Sequence, residues 1–451
     1  MSMNEMQSLP ERRIHHTRES IHLFVNPYWG GKFVTNETGS KVIGLMDREG
    51  DEERLVDLIS QELKINHYEA AARFVAFRDQ LKRHRMLGWV MEKRKGPPKP
   101  NLGFIEITRK CSTRCRLCYV NSGEEKPDTL SKDEIFEVID QMAVMGIEFV
   151  ALSGGDPLTR VDMLEILEYI TIKHGLVGGL STSLLTLTEN AASRLKELGV
   201  LVQVSLDGSS PEINDWNRGG GSFEKTMRGV KLLNRYNIPF RFAFVINKHN
   251  VEDIEDMVEL GLKVRTKEIA FGKVKIAGRA KGQEAIAYPS SQDMASAYLT
   301  LYRKAIETRQ KGLKINPKYN QALLTGLQDR VGCLPCGAGR TFIQVSYNGD
   351  IIPCSLLCGE REFVLGNVKK DKLKDVWENS SIYEFFRKTT VEDLEICRNC
   401  SAKYLCGGGC RADAYLTNGD LKGPCSDCED LKFYYHMIFD RACKEKNVLP
   451  F

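Results

Sequence analysis

No cysteine stands before Cys111, and none lies between Cys118 and Cys333. The chain also lacks any run of about 18 apolar residues, the length that would cross a bilayer, which argues against a membrane span. Residues Met1 to His16 are polar and have no apolar segment of the kind that opens a secretory signal, so the expected compartment is the cytosol. Neither charge sign is in excess: 64 Lys and Arg face 60 Asp and Glu, a net +4, which argues against a nucleic-acid or anionic-membrane partner. No internal repeat and no low-complexity tract is present, which excludes a solenoid. What remains is globular: 451 residues, 42% hydrophobic and 27% charged, enough for about three domains.

The 14 cysteines are concentrated, three within Cys111–Cys118 and the rest between Cys333 and Cys443. In a reducing compartment such grouping points to metal binding rather than to disulfides.

The patterning divides the chain into segments 1–95, 101–285 and 286–451. In the first, Ile21–Val25 and Gly31–Thr35 read as two strands around a turn at Asn26, Pro27 and Gly30. Helical patterning follows, with Leu55, Val56, Leu58 and Ile59 in one piece and Phe74, Phe77 and Leu81 on one face of the last. Pro97, Pro98 and Pro100 then mark a linker. In the second segment, strands are predicted at Gly103–Thr108, Ile147–Leu152, Val177–Thr182, Leu201–Leu206, Phe240–Ile246 and Glu268–Phe271, each followed by helical periodicity. Ser131 with Glu134 forms a capping box before the apolar face Ile135, Val138, Ile139 and Met142, and Gly146 stops that helix. The expected class is α/β: a partial parallel (β/α)6 barrel, with functional groups at the strand C-terminal ends, a small α+β N-terminal domain and a loop-rich C-terminal domain. A helix over roughly Ser291–Lys311 opens the third segment, and the cysteine-dense stretch after it has little apolar periodicity, so metal would supply folding energy.

After the first barrel strand the chain reads Cys111-x3-Cys115-x2-Cys118. Three thiolates in one loop suit a four-iron cluster with one iron left open; a zinc site would want a fourth ligand, and no His stands near. This motif resembles the signature of the radical S-adenosylmethionine (SAM) superfamily. The resemblance implies that Cys111, Cys115 and Cys118 hold a 4Fe–4S cluster whose open iron chelates SAM. Reductive cleavage of SAM then yields methionine and a 5′-deoxyadenosyl radical. Leu117 stands where relatives often have an aromatic residue, and Tyr119 follows the last cysteine. Ser153-Gly154-Gly155-Asp156-Pro157 is similar to the family's Gly-Gly-Glu-Pro loop, whose glycines let backbone approach the SAM amino group. By the same resemblance Ser205 and Asp207 lie near the ribose and methionine end of SAM, and Ser183 near the ribose. Arg218 pairs with the SAM carboxylate, and Gly278 begins a loop that borders adenine.

The C-terminal cysteines follow a second pattern. Cys336 is followed by Gly349 and Cys354, then by Cys397-x2-Cys400-x5-Cys406-x3-Cys410, and later by Cys428. Spacing alone leaves paired zinc ribbons open. The whole is similar to the SPASM extension, which implies two further 4Fe–4S clusters and so three in all. Cys397, Cys400, Cys406 and Cys428 would hold the outer cluster. Cys336, Cys354 and Cys410 would hold the inner one, with Cys333, Cys358 or an open iron at its fourth position. Cys425 and Cys443 are spare, although Cys425 could replace Cys428. Gly407-Gly408-Gly409 sits between two ligands, where backbone nears sulfide.

Residues 20–88 resemble the peptide-recognition domain of pyrroloquinoline quinone biosynthesis, through Phe33-Val34-Thr35-Asn36-Glu37-Thr38-Gly39, Leu45-Met46-Asp47-Arg48-Glu49-Gly50 and the closing helix. A winged-helix module using Lys82, Arg83, His84 and Arg85 is the competing reading. Together the resemblances imply an enzyme that crosslinks a ribosomally made precursor peptide, with the leader added as a strand to the N-terminal sheet and an external flavodoxin- or ferredoxin-type electron donor. A protein side-chain maturase of the anaerobic sulfatase type, or a tetrapyrrole or small-molecule enzyme, is the alternative.

Overall fold

The computed structural model describes residues 14–18, 21–26, 31–49, 51–83, 97–123, 125, 127–317, 336–400 and 403–434. Cys333, Cys443, His84 and Arg85 lie outside the described residues.

The N-terminal sheet has one strand more than the sequence pattern indicates. β1 (Ile14–Arg18), β2 (Ile21–Asn26) and β3 (Gly31–Asn36) pair antiparallel in that order, so β2 is central and β1 and β3 are the edges. Helices α1 (Glu37–Met46), α2 (Glu52–Leu63) and α3 (His67–Arg83) follow. Asn36, Asp51 and Asn66 accept the backbone N–H of Gly39, Arg54 and Glu69, each at 2.9 Å, and so satisfy donors that a helix start leaves free. Val42, Ile43, Leu55, Val56, Ile59, Ala70, Phe74, Phe77 and Leu81 form a core of this unit's own.

All six predicted barrel strands are present: β4 (Leu102–Thr108), β5 (Phe149–Gly154), β6 (Val177–Thr182), β7 (Leu201–Ser205), β8 (Phe240–Ile246) and β9 (Glu268–Lys273). Each pairs parallel with the next. The crossovers are α4 (Lys132–Val144), α5 (Met163–Glu168), α6 (Glu189–Glu197), α7 (Pro211–Arg218) with α8 (Ser222–Arg235), and α9 (Ile254–Lys263). The Ser131 capping box forms, and Ile135, Val138, Ile139 and Met142 are all buried against the sheet. Alternation along β4 sends Ile105 and Ile107 into that core, while Glu106 and Thr108 point to the other face, also buried. The lumen of the sheet is therefore polar at the strand ends.

The sheet extends beyond the six strands. After α10 (Glu284–Ala287) and α11 (Ser291–Arg309), β10 (Lys314–Pro317) pairs parallel with β9. β11 (Phe342–Val345) pairs parallel with β4, and β12 (Asp350–Ile352) and β13 (Gly366–Asn367) continue antiparallel. The described order, β10-β9-β8-β7-β6-β5-β4-β11-β12-β13, is an open sheet. The C-terminal region thus contributes strands to the same sheet. Beyond β13 it is loop-rich, as expected, with short helices around two small apolar clusters that include Cys397, Cys354 and Cys410. Trp377 Nε1 donates to the Pro98 carbonyl at 2.8 Å, which fastens the proline linker to this region. Among the described residues no helix is long and apolar enough to cross a membrane.

Candidate active site and cluster ligands

Cys111, Cys115 and Cys118 occupy the loop that leaves β4, and all three are free thiols. The Thr113 hydroxyl sits between Cys111 Sγ at 3.3 Å and Cys115 Sγ at 3.4 Å. Burial, with Asp156 and Cys115 nearby, pushes the Cys111 thiol pKa up, although hydrogen bonds from Thr113 work against the shift. Three other segments hold the loop. Asn217 accepts Leu117 N–H on Oδ1 at 3.0 Å, and its carbonyl accepts Arg116 N–H at 2.7 Å. Arg279 donates its backbone N–H to the Cys118 carbonyl and its Nε to the Cys115 carbonyl, both at 2.9 Å. Gly154 and Gly155 donate no side chain because none would fit: a Cβ would lie 2.1 Å from the Thr108 carbonyl and 1.9 Å from that of Lys110. Their smallness is required by the cysteine loop itself, a different reason from approach to a cofactor. Gly278, at φ +55°, likewise abuts the Cys118 and Tyr119 carbonyls. Leu117, the non-aromatic departure, is buried with Val274, Ala280 and Ala287.

Two buried carboxylates close the strand ends. Asp156 accepts Thr182 Oγ1 at 2.7 Å and Leu158 N–H at 3.1 Å on one oxygen, and the N–H at 2.9 Å and hydroxyl of Ser183 on the other. Its acceptor positions are spent on tying β5 to β6, and Ser183 is spent on Asp156. Asp207 accepts Val245 N–H at 2.9 Å and Asn217 Nδ2 at 2.7 Å. Arg218 Nε lies 2.8 Å from Asp207 Oδ2 as an ion pair, but its N–H does not aim at that oxygen and has no hydrogen-bond acceptor. Burial works against the Arg218 charge. Asp207, Cys115 and Cys111 outweigh it and raise its pKa, so the guanidinium lies within reach of both the carboxylate and the cysteine loop. Ser205 ends β7 beside Ala243 of β8.

These observations bear on fit. Three thiols share one loop, Arg218 Nε is buried with its donor unspent, and the Ser112 hydroxyl inside the loop is buried without a partner. That donor set fits a thiolate-held cluster with a carboxylate-bearing cofactor beside it.

A polar cluster that the sequence did not disclose lies under this loop. Arg109 NH2 donates to Glu106 Oε2 at 2.9 Å and to Cys358 Sγ at 2.7 Å, and its guanidinium lies 4.5 Å from the Tyr347 ring centre. Burial raises the Glu106 pKa against the pull of Arg109. The Tyr119 ring is 41% exposed, but its hydroxyl points inward to Glu106 and Ser355, and burial followed by the Glu106 charge pushes its pKa up. Burial pushes the Cys358 thiol up to about 11. The Cys358 sulfur thus pairs with Arg109, which lies outside the inner cysteine set.

Those inner cysteines lie together. Burial and then Cys410 push Cys336 up to about 11, and burial, Cys410 and Cys336 push Cys354 higher. Cys397, Cys400, Cys406 and Cys428 line one chamber with Ile396 and Leu431. Cys425, spare in the motif, lines it too, and its Sγ is 2.5 Å from where a Gly409 Cβ would sit. Gly407, Gly408 and Gly409 all have positive φ, which only glycine adopts freely in succession. Arg411, fully buried, donates to the carbonyls of Leu421 at 3.0 Å, Gly423 at 2.7 Å and Gly408. Its charge is felt by Cys336 and Cys397, one from each set.

Comparison with known proteins agrees with this layout. A family model described as the radical SAM superfamily matches residues 105–261, and one described as an iron–sulfur cluster-binding SPASM domain matches residues 336–401. An AdoMet-dependent heme synthase of Methanosarcina barkeri is 31% identical over 346 residues, 71% of this chain and 94% of its own. Mycofactocin maturase MftC of Mycobacterium tuberculosis is 29% identical over 329 residues, 72% of this chain and 81% of its own. The structure of Streptococcus suis SuiB bound to precursor peptide SuiA shares the fold, with a TM-score of 0.60 at 16% identity over 94% of this chain and 99% of that one.

Proposed function

We propose, from the premise that this chain belongs to the radical SAM superfamily and is an enzyme with a SPASM iron–sulfur extension, that it modifies a ribosomally made precursor peptide in the cytosol. Cys111, Cys115 and Cys118 would hold the first cluster, and Cys397, Cys400, Cys406 and Cys428 the outer auxiliary one. Cys336, Cys354 and Cys410 would hold the inner one, with Cys333 or an open iron at its fourth position. When bound, the first cluster supplies the electron that splits SAM, and the auxiliary clusters supply a place for the electron that bond formation releases. Three four-iron clusters, recharged by a flavodoxin- or ferredoxin-type donor, are the full complement in this reading.

The protein's own groups orient the reactants. Arg218, with an unspent buried donor beside the cysteine loop, binds the SAM carboxylate. Asp156 and Ser183 fix the loop whose backbone meets the SAM amino group, Ser205 and Asp207 border the ribose, and Tyr119 and Gly278 border the adenine end. The observation that carries the peptide reading is the separate N-terminal unit, with its own core and sheet edges at β1 and β3. An edge strand offers unpaired backbone groups to an extended leader. Likeness in fold to SuiB, over a share of this chain that includes part of that unit, supports it. The domains in this reading are 1–95 for the leader, 101–285 for the radical and 286–451 for the auxiliary clusters, and the product is a thioether or carbon–carbon crosslink.

Tetrapyrrole chemistry is the second reading, favoured by the identity to an AdoMet-dependent heme synthase. One experiment separates the two. The intact enzyme and a form lacking residues 1–95 are given SAM, strong reductant and a candidate precursor peptide. The peptide reading expects 5′-deoxyadenosine from both forms and a mass change of the peptide only with the intact one. Turnover of a porphyrin carboxylate by both forms, with the peptide untouched, would establish the second reading.

A further inference from the structure

At the end of β9 and just past it, Lys273 and Lys275 meet three carboxylates of the C-terminal region, two of them buried. Lys275 Nζ lies 2.5 Å from Asp427 Oδ2 and 3.2 Å from Asp413 Oδ2. Lys273 Nζ lies 2.5 Å from Asp430 Oδ2 and 3.5 Å from Asp427 Oδ1, with the Tyr288 ring 4.9 Å away. Ser426 closes the group, donating its N–H to Asp413 Oδ2 at 2.7 Å and its hydroxyl to the same oxygen at 2.8 Å. These side chains are mostly excluded from water: Asp413 is 1% exposed, Asp430 4%, Lys273 6%, Asp427 13% and Lys275 16%.

The group lies within the auxiliary-ligand sequence. Asp413 is one helical turn beyond Cys410, on the helix Arg411–Asn418 for which Cys410 is the N-cap. Asp427 directly precedes Cys428 and follows Cys425 by two residues. Burial disfavours the Lys275 charge, but Asp427 and Asp413 outweigh burial, and Cys410 and then Cys425 add to them. Lys275 thus reaches from the barrel side into an ion pair with both Asp427 and Asp413. A latch joining two domains would need ion pairs only. The carboxylates that hold Lys275 are themselves attached to the ligand sequence, Asp413 one turn after Cys410 and Asp427 next to Cys428.

We propose that Lys275 sets the reduction potential of the inner auxiliary cluster, by holding a positive charge on Asp413, one helical turn from Cys410. The inference rests on the reading that Cys336, Cys354 and Cys410 hold such a cluster. Its reduction takes up one electron, breaks no bond and needs no proton. The reduced state carries one more negative charge, which a nearby cation stabilises most where water is excluded. Asp413 acts on the same site with opposite sign. Lys275 is a positioning residue for charge and touches no substrate.

The test is a potentiometric titration of the intact, iron-loaded protein with dithionite, followed by electron paramagnetic resonance. At the wild-type midpoint, Lys275→Met is expected to lower the ratio of reduced to oxidised inner cluster about tenfold, which for one electron is about 59 mV. Asp413→Asn is expected to raise that ratio, and Lys275→Arg to leave it within about threefold. The first cluster should keep its potential in every variant. A latch without electrostatic influence predicts lost iron or stability in both charge variants and no opposed shift. Shifts of one sign, or none, overturn the proposal. If Lys275→Met holds no iron, Asp413→Asn decides alone: a rise supports the proposal and an unchanged ratio overturns it. Wild-type protein with only four irons would instead overturn the cluster reading beneath it.

Discussion

Asn217 Nδ2 donates to Asp207 Oδ2 across 2.7 Å while Asn217 Oδ1 accepts the N–H of Leu117 at 3.0 Å. One amide thereby ties the cysteine loop to the end of β7. Both ends are buried, so losing the amide leaves a donor and an acceptor unpaired. Asn217→Ala is expected to cost about 2–4 kcal/mol and to slow 5′-deoxyadenosine formation. Asn217→Asp, which sets a carboxylate against Asp207, should be worse. Thermal unfolding and product counting by chromatography check both.

The metal content follows from the ligand sets. Anaerobically reconstituted protein should carry about twelve irons. Replacing Cys111, Cys115 and Cys118 together with Ala should remove about four irons and all SAM cleavage, and leave the auxiliary signals. Stoichiometric zinc with little iron would refute the assignment.

Cys358 should behave as a free thiol. Cys358→Ala is expected to keep the full iron count. In the loaded enzyme, alkylation at this position should be slow at pH 8 and should accelerate toward pH 11, because burial pushes the thiol up to about 11. The sign for stability is the same. The folded state favours the protonated thiol, so its contribution is intact below the unfolded pKa near 9 and is lost as pH rises through 9 to 11. Peptide mapping after timed alkylation reads the rate. Rapid labelling at pH 7 would contradict the burial seen here.

Phe77 tests the N-terminal unit. It is 1% exposed, in a core that includes no residue of the barrel. Phe77→Ala should destabilise that unit by about 3–5 kcal/mol. Precursor binding should be lost while SAM cleavage persists. Calorimetry of leader binding, beside 5′-deoxyadenosine yield, distinguishes the two. If both fall together, the unit is not separable.

Much of this was legible in the sequence. Strand periodicity located all six barrel strands, although β5 begins at Phe149 and not Ile147. The Ser131 capping box and its apolar face formed as expected. The strands missed, β1 and β10 to β13, are short. β10 and β11 have four residues each, too few to show alternation, and β11 pairs with a strand distant in sequence. Phe74, Phe77 and Leu81, expected on one helix face, are core, because α3 packs that face on α1 and α2. The edge placed near Ile21–Thr35 divides: β2 is interior once β1 is present, and β3 keeps the edge. Motif spacing located the cysteines. It did not reveal Arg109 on Cys358, Asn217 on Leu117, or the lysines on Asp413 and Asp427, because each pairs residues brought together only by the fold.

The pairing of β11 with β4 has a consequence for biosynthesis. Leu102 hydrogen-bonds alongside Phe342, so the outer rim of β4 has no neighbour until roughly 240 more residues have been made. At about 5–20 residues per second that interval is on the order of tens of seconds. During it, a bare strand edge next to three free thiols is left uncovered. A nascent chain in that condition is a natural client for a chaperone. The enzyme would be expected to accumulate poorly wherever translation outruns folding assistance, whatever the supply of iron and sulfide.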